Sequence, residues 1–345
     1  MLKIYTLADT QQWDSVVRSF PQYDIYYLSG YVKGFWLHGD GEPLLFSWEG
    51  NDARGINVVF KREIGQDSRF AGKLQEPLYD FISPYGYGGW LLDGSGDVSA
   101  LMEEYDCWCR RNRVVSEFVR FHPLLKNHLP LQQAYEVVTL GSTVALDLSS
   151  PEVIWENMTS KNRNMVRKAQ KNGLQICRAS GPEIYGVFRE IYELTMDKDQ
   201  AADYYYFGEE YYRSIREDLA RNAQVFYART EDGAVAAAAI IMGANGCLHY
   251  HLSGSRREYQ GLAPTNLLLY EAACWGSENG YRSFHLGGGI GSREDSLFAF
   301  KKAFYRKEPC GFHIGKRIVD PEAYEMLLQL RENQVREGFF PAYRG

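Results

Sequence analysis

Five cations and no acid stand between residues 159 and 171: Lys161, Arg163, Arg167, Lys168 and Lys171. On a helix, Arg163, Arg167 and Lys171 recur every fourth residue and make one stripe, with Lys168 beside it. Like charges so spaced cost helix stability, a cost that a bound anion would remove. The stripe is therefore a candidate for nucleic-acid phosphates or a diphosphate, although a solvated helix face has the same composition. A second set lies in residues 250–255 (YHLSGS), where Tyr250 and Ser253 precede a helix start at Ala263-Pro264-Thr265-Asn266. The N–H groups of such a start hold a phosphate or carboxylate as readily as they begin an ordinary helix. The third set is Gly287-Gly288-Gly289, followed by Phe300 and Lys301 after an apolar segment. Glycines admit close backbone approach, and an ammonium beside a part-buried surface stabilises developing negative charge.

His249 and His251 alternate along one expected strand and so share a face, while His122 stands before Pro123 at a strand end. Each is a candidate general base, and a hydrogen-bonded structural role suits each as well. The chain has no GxSxG elbow, HExxH pair or Walker A lysine, which removes serine hydrolases, zincins and P-loop ATPases. Six cysteines without a CxxC pair build neither a disulfide framework nor a zinc site, so no metal is expected.

The elements that must position these residues follow from periodicity. Residues 44–48 and 56–61 read as a hairpin, 98–112 as a helix and 117–121 as a strand. The order then repeats: a strand at 144–148, a helix opening at Ser149-Ser150-Pro151-Glu152, and further helices to about residue 222. Strands follow at 223–229, 234–243 and 247–253, then a helix at 264–279 and a strand at 283–286. On the helix at 264–279, Leu268, Ala272 and Trp275 share a face. A tail helix is expected over 322–337, with an aromatic end that docks on a core. The 345 residues, 45% of them hydrophobic, suit two domains: 1–140, completed by 320–345, and 141–319. The fold class is α/β (α+β), mixed sheets flanked by helices. With 38 Lys+Arg against 44 Asp+Glu, the net charge of −6 excludes a protein that coats nucleic acid by bulk electrostatics. The longest apolar stretch, 234–244, is about half a membrane span, and the first residues lack a signal-peptide layout. A cytoplasmic protein without an integral membrane segment is expected.

The chain resembles the FemABX family. The motifs are Ser160-Lys161 in a basic helix followed by Gly173, the Ala263-Pro264 helix start with Trp275, the Leu286-Gly287-Gly288 turn, and residues 295–301 (DSLFAFK). In the first half, residues 30–36 (GYVKGFW) and 118–123 (FVRFHP) are similar to family segments near the precursor-binding cleft. The resemblance implies two tandem GNAT-like acyltransferase domains, and since no long heptad segment interrupts the second half, no coiled-coil arm is expected. It also implies transfer of an amino acid from aminoacyl-tRNA to an amine of a peptidoglycan precursor or related acceptor, with no further cofactor. Carried over by position, Phe300 and Lys301 match the catalytic pair, and Lys33 matches a lysine that contacts the precursor diphosphate. Trp36, Arg120, His122, Tyr250, Ser253, Thr265 and Asn266 are expected at the substrates, and Lys161, Arg163, Arg167, Lys168 and Lys171 at tRNA or acceptor phosphates. Glu117 stands where the family has a tyrosine, residues 204–207 are aromatic where an arginine is expected, and His122 replaces an acid. Two other readings share the fold. An acyl-CoA-dependent N-acyltransferase would use the turn at 253–266, where only Gln260-Gly261 and Ala263 survive of a Q/RxxGxG/A loop. A non-catalytic RNA- or glycan-binding protein would have no need of Lys301.

Overall fold

Short runs rich in apolar residues near the start of the chain pair as an antiparallel meander. Strands β1 (Leu2–Tyr5), β2 (Glu42–Glu49) and β3 (Ala53–Glu63) are adjacent, with helices α1 (Thr10–Arg18) and α2 (Ser29–His38) between the first two in sequence. Strands β4 (Tyr79–Ile82) and β5 (Leu91–Gly94) both pair antiparallel with β3. Helix α3 (Ser99–Arg111) then leads into β6 (Val114–Arg120), which runs parallel to β4. A parallel neighbour cannot be reached by a tight turn, and α3 supplies the crossover.

The chain continues through β7 (Glu136–Asp147), α4 (Pro151–Asn157), α5 (Ser160–Lys171), β8 (Gln175–Ala179), α6 (Pro182–Lys198) and α7 (Glu209–Asp218). Strands β9 (Ala223–Arg229), β10 (Val235–Ala244) and β11 (Cys247–Ser255) follow, then α8 (Pro264–Glu278), β12 (Ser283–Gly287) and α9 (Ser296–Lys302). Strand β13 (Cys310–Ile318) and helix α10 (Pro321–Leu330) complete it. This is a computed structural model, and it describes residues 1–95, 98–331 and 336–345. The chain divides into two units, 1–140 with 312–345 and 141–311. The return to the first unit thus falls at residue 312, ahead of the expected 320, because β13 pairs with β6.

In the second unit the strands lie in the order β7-β12-β11-β10-β9-β8, antiparallel except for β11 and β12. Helix α8 is the crossover of that parallel pair. Its Leu267, Leu268, Leu269, Ala272 and Ala273 are all buried. Burial runs around the helix rather than along one stripe, because α4 and α5 cover the side away from the sheet. Each buried leucine contributes about 1.5 to 3 kcal/mol.

The helix start at Pro151 forms as its residues dictate. Ser150 accepts a hydrogen bond from the Val153 N–H, and Pro151 occupies the first turn. Strand β8 interrupts the stretch read as helical to residue 222. Its residues alternate only weakly between buried and exposed, since it is the last strand in the order and pairs with β9 alone. The tail helix spans Pro321–Leu330, shorter than the expected 322–337; residues 332–335 lie outside the described residues. Beyond them Tyr343 is fully buried in an apolar cluster with Ile64, Phe70 and Leu327, the docking expected of the aromatic end. Among the described residues, no helix is long and apolar enough to cross a membrane.

Candidate active site

The second unit contains a cavity of about 330 Å³ lined by residues of β11, α6, the start of α8 and α9. Its floor depends on a register shift. Ile240 pairs with Leu252, but Ile241 pairs with Tyr250, so His251 is an extra residue bulged out of β11. The bulge resets the alternation and brings Tyr250 and Ser253, three residues apart, to the same cavity. Their hydroxyls are hydrogen-bonded, and burial nevertheless pushes the Tyr250 hydroxyl up to about 12. Thr265 and Asn266 line the cavity from the first turn of α8. Ala263 precedes that turn at φ +58° and provides no side-chain cap. The Asn266 amide donates to Asn162 Oδ1 at 2.7 Å, which ties the helix start to α5.

Phe300 and Leu297 form the opposite wall from α9. Asp295 caps this helix, accepting from the N–H groups of Phe298 and Ile290 at 2.9 Å each. Lys301, one residue beyond Phe300, is 8% exposed, and its ammonium donates to the Gly288 carbonyl at 2.6 Å. Burial pulls that ammonium down to about 8, against the opposing charge of Asp295. The three glycines are required for different reasons, Gly287 by its backbone conformation and Gly288 and Gly289 by close contacts. Gly287 has φ +78°, and a Cβ there would lie 3.4 Å from Lys301 Nζ. A Cβ on Gly288 would lie 2.8 Å from the Ser142 carbonyl oxygen, and one on Gly289 would strike the Arg293 carbonyl and the Asp295 carboxylate. The glycine run is therefore a cradle for the lysine and for its capping loop.

All side chains lining this cavity are uncharged. Of the expected substrate residues it gathers Tyr250, Ser253, Thr265 and Asn266, together with Phe300 of the expected catalytic pair; Lys301, the next residue on α9, does not line it. Thr195 and the Asn162 that holds Asn266 were not anticipated, and Gln260 was expected only in the acyl-CoA reading. The Thr195 hydroxyl donates to the Ile191 carbonyl and accepts the Ser255 N–H, joining α6 to the cavity edge. Gln260 donates to the Ser255 hydroxyl at 3.4 Å. A sequence signal existed for both unanticipated residues. Asn162 shares a stripe with buried Val166 and Ala169, and Thr195 shares one with buried Phe188 and Ile191.

The basic run forms α5 as expected, capped by Thr159. Lys161, Arg167, Lys168 and Lys171 are exposed, and none of the five cations pairs with a carboxylate among the described residues. Arg163 corrects the expectation of an open stripe. Half-buried, it donates to the Met158 carbonyl at 2.8 Å and the Trp155 carbonyl at 3.3 Å, closing the C-terminus of α4. Arg167 stacks over the Trp155 ring at 5.0 Å.

His251 donates to or accepts from the Tyr211 hydroxyl at 2.6 Å, and burial pulls its ring down to about 3, helped by His249. A ring so depressed is a weak base. His249 sits edge-on to His285, its partner in the β11–β12 register, with ring centroids 5.7 Å apart.

Trp36 is 46% exposed and lines a cavity of about 600 Å³ with Lys61, Arg62, Tyr79 and Arg344, whereas Lys33, Arg120 and His122 are not among its lining residues. Lys33 is half-buried on α2, and the Arg120 guanidinium lies over the Phe118 ring at 5.2 Å. His122 is fully buried, which corrects its assignment to the substrate. Its Nδ1 accepts the N–H groups of Leu124 and Leu125, so Nε2 carries the proton and donates to Asp24 at 2.9 Å. Glu117 is buried and accepts from Asn57, Tyr105 and Tyr135 at 3.1, 3.1 and 2.8 Å. Arg317, opposite it in the β6–β13 register, lies 3.5 Å away and also pairs with Asp106. Burial pushes the Glu117 carboxyl up to about 7 against those three donors.

Residues 159–302 match the profile of the Acetyltransferase (GNAT) domain. No curated protein of similar sequence matches the chain. Among solved structures the chain is similar to FemX (16% identity, TM-score 0.68), covering 94% of this chain and 99% of that one. It is also similar to L-PGS from Bacillus licheniformis (16% identity, TM-score 0.58, 94% and 96%). A third likeness is a tandem GNAT protein from the clavulanic acid biosynthesis pathway (12% identity, TM-score 0.51, 93% and 99%). At these identities the likeness is one of fold, two GNAT-type units in tandem, and the FemABX resemblance holds at that level. The matched domain and the shared fold support an acyltransferase.

Proposed function

We propose that the protein transfers an aminoacyl group from aminoacyl-tRNA to the amine of a cell-wall precursor or a related amine acceptor. The observation that carries this reading is the Lys301 ammonium, buried and donating to the Gly288 carbonyl, one residue along α9 from Phe300, which lines an uncharged cavity. In the reaction the acceptor nitrogen attacks the ester carbonyl carbon, forming the C–N bond and a tetrahedral oxyanion. Lys301 stabilises that charge in a dry site, where a fixed cation counts for more than in water. Collapse breaks the C–O bond to the tRNA ribose, and the proton lost by the amine passes to the departing ribose oxygen. Phe300, Tyr250 and Ser253 shape the acyl pocket, and Lys161, Arg167, Lys168 and Lys171 meet donor phosphates from the exposed side of α5.

The GNAT match favours a second donor, acyl-CoA. Against it, Pro264 removes an N–H from the turn that would cradle a pyrophosphate, and the position at φ +58° is Ala263 rather than glycine. Incubation of the purified protein with labelled aminoacyl-tRNAs or acetyl-CoA, using hydroxylamine as a small acceptor, separates the donors. Hydroxamate is expected from charged tRNA; formation from acetyl-CoA alone would overturn the tRNA reading.

A further inference from the structure

Residues 190–210 hold seven carboxylates against one lysine, a balance of −6 that equals the net charge of the whole chain. Some of these acids are paired: Glu190 with Arg256, Glu193 with Arg189 and Glu210 with Arg213. Asp197, Asp203 and Glu209 make no ion pair with a cation among the described residues. On the same segment three large apolar side chains face solvent, Leu194 at 49%, Tyr204 at 40% and Tyr205 at 37% exposed.

The segment borders the cavity. Thr195 lines it from the last turns of α6, and two residues further on Asp197 accepts the Tyr206 hydroxyl at 2.7 Å, which anchors the tyrosine run over the end of that helix. The run is stiff. The rings of Tyr204 and Phe207 lie 6.3 Å apart, those of Phe207 and Tyr211 4.3 Å, and Tyr211 bonds the bulged His251 of β11. Tyr212, 4% exposed, keeps a hydroxyl without a hydrogen-bond partner within electrostatic reach of Glu193.

Exposed aromatic faces in a negative field attract cations: the ring quadrupole holds an ammonium, and the carboxylates raise its local concentration. A diphosphate would be repelled from the same place. We propose that this face of the second unit receives the acceptor, and that the acceptor arrives as a cationic alkylamine, a diamine or polyamine, rather than as a nucleotide-linked anion. This rests on the acyl-transfer reading and narrows its acceptor. The ammonium held by Tyr204 and Tyr205 must lose a proton before it attacks. Passage from the acidic face into a cavity with no charged lining favours the neutral amine by desolvation, and the proton is left to water.

The test is equilibrium binding to the full chain by calorimetry, with 1,5-diaminopentane and 5-aminopentanoate, which share the amine but differ in net charge, and with uridine diphosphate. The diamine should bind about tenfold more tightly than the amino acid. A Tyr204→Ala/Tyr205→Ala variant should lose about tenfold in diamine affinity, and Asp203→Asn should lose less. Both changes are at exposed positions, so an unaltered circular dichroism spectrum and melting temperature confirm the fold. Equal binding of the two amines, preference for the diphosphate, or an unchanged diamine affinity in the folded double variant would overturn the proposal. The hydroxylamine assay reports acyl transfer without this face. Hydroxamate formation without diamine binding removes the acceptor proposal alone, and diamine binding without hydroxamate removes the transfer reading and with it the acceptor role of this face.

Discussion

Each unit contains a parallel strand pair bridged by a helix, β4 and β6 by α3 in the first, β11 and β12 by α8 in the second. The two use their polar side chains in opposite ways. In the first, Glu117, Asn57, Tyr105, Tyr135 and Arg317 bond one another within the core beneath α3. In the second, Tyr250, Ser253, Thr265 and Asn266 turn toward a cavity at the start of α8, and the one buried cation, Lys301, is held on a backbone carbonyl with no carboxylate bonded to it. A closed polar network stabilises or specifies a core; an open one is available to a substrate. The proposed chemistry therefore lies in the second unit, although among the described residues the first has the larger number of buried ionisable groups.

The widest break in this comparison would come from Glu117. Glu117→Ala leaves Arg317 buried without its cross-strand partner and should cost about 3 to 5 kcal/mol in chemical denaturation. The folded carboxyl titrates at about 7, above its ordinary 4.5, so the folded state binds more protons between these values. Stability should fall as pH rises through that window, and Glu117→Gln should flatten the slope. Transfer by the Gln variant should stay near normal; a large loss would mean that the first unit takes part in the chemistry.

Lys301→Ala should reverse the pattern, lowering transfer about 10² to 10³-fold with an unchanged melting temperature. Because the ammonium titrates at about 8, kcat in the unmodified protein should decline as pH rises through that value. Near-normal turnover of the Ala variant would remove the lysine from the mechanism.

Gly287→Ala is a finer probe. It combines a left-handed φ with a Cβ beside Lys301 Nζ, and transfer should fall about tenfold to a hundredfold through misplacement alone. An active Gly287→Ala protein would mean that the cradle is not what aligns the lysine. The smallest effects separate two cations on one helix. Arg163→Ala should destabilise the second unit by about 1 to 2 kcal/mol, since it bonds the end of α4. Lys168→Ala should leave stability within about 0.5 kcal/mol while weakening donor binding most at low salt.

Where a signal is local, the chain reads well. The Ser150-Pro151 start, the strands from β9 to β11 and the run from Asp295 to Lys301 follow from caps, alternation and spacing within one element. Reading failed where a distant partner decided. Arg163 looked like one of five equivalent cations until α4 ended beside it, and His122 looked like a ligand until Asp24 and two loop amides filled its ring. Strand β8 is visible only through its pairing with β9. The extra residue in β11 leaves no mark in composition, yet it turns Tyr250 and Ser253 to one cavity.

The amino-acid sequence by itself determined the division near residue 140, the mixed α and β order of both halves, a five-cation helix and a lysine poised after an apolar segment, because caps, periodicity and charge runs act over a few residues. Only the tertiary structure decided which polar groups are open and which are spent. Burial and hydrogen-bond partnership belong to pairs of elements far apart in the chain. Lys301 and Glu117 are both buried ionisable groups, and what surrounds them makes one a candidate catalyst and the other a core contact.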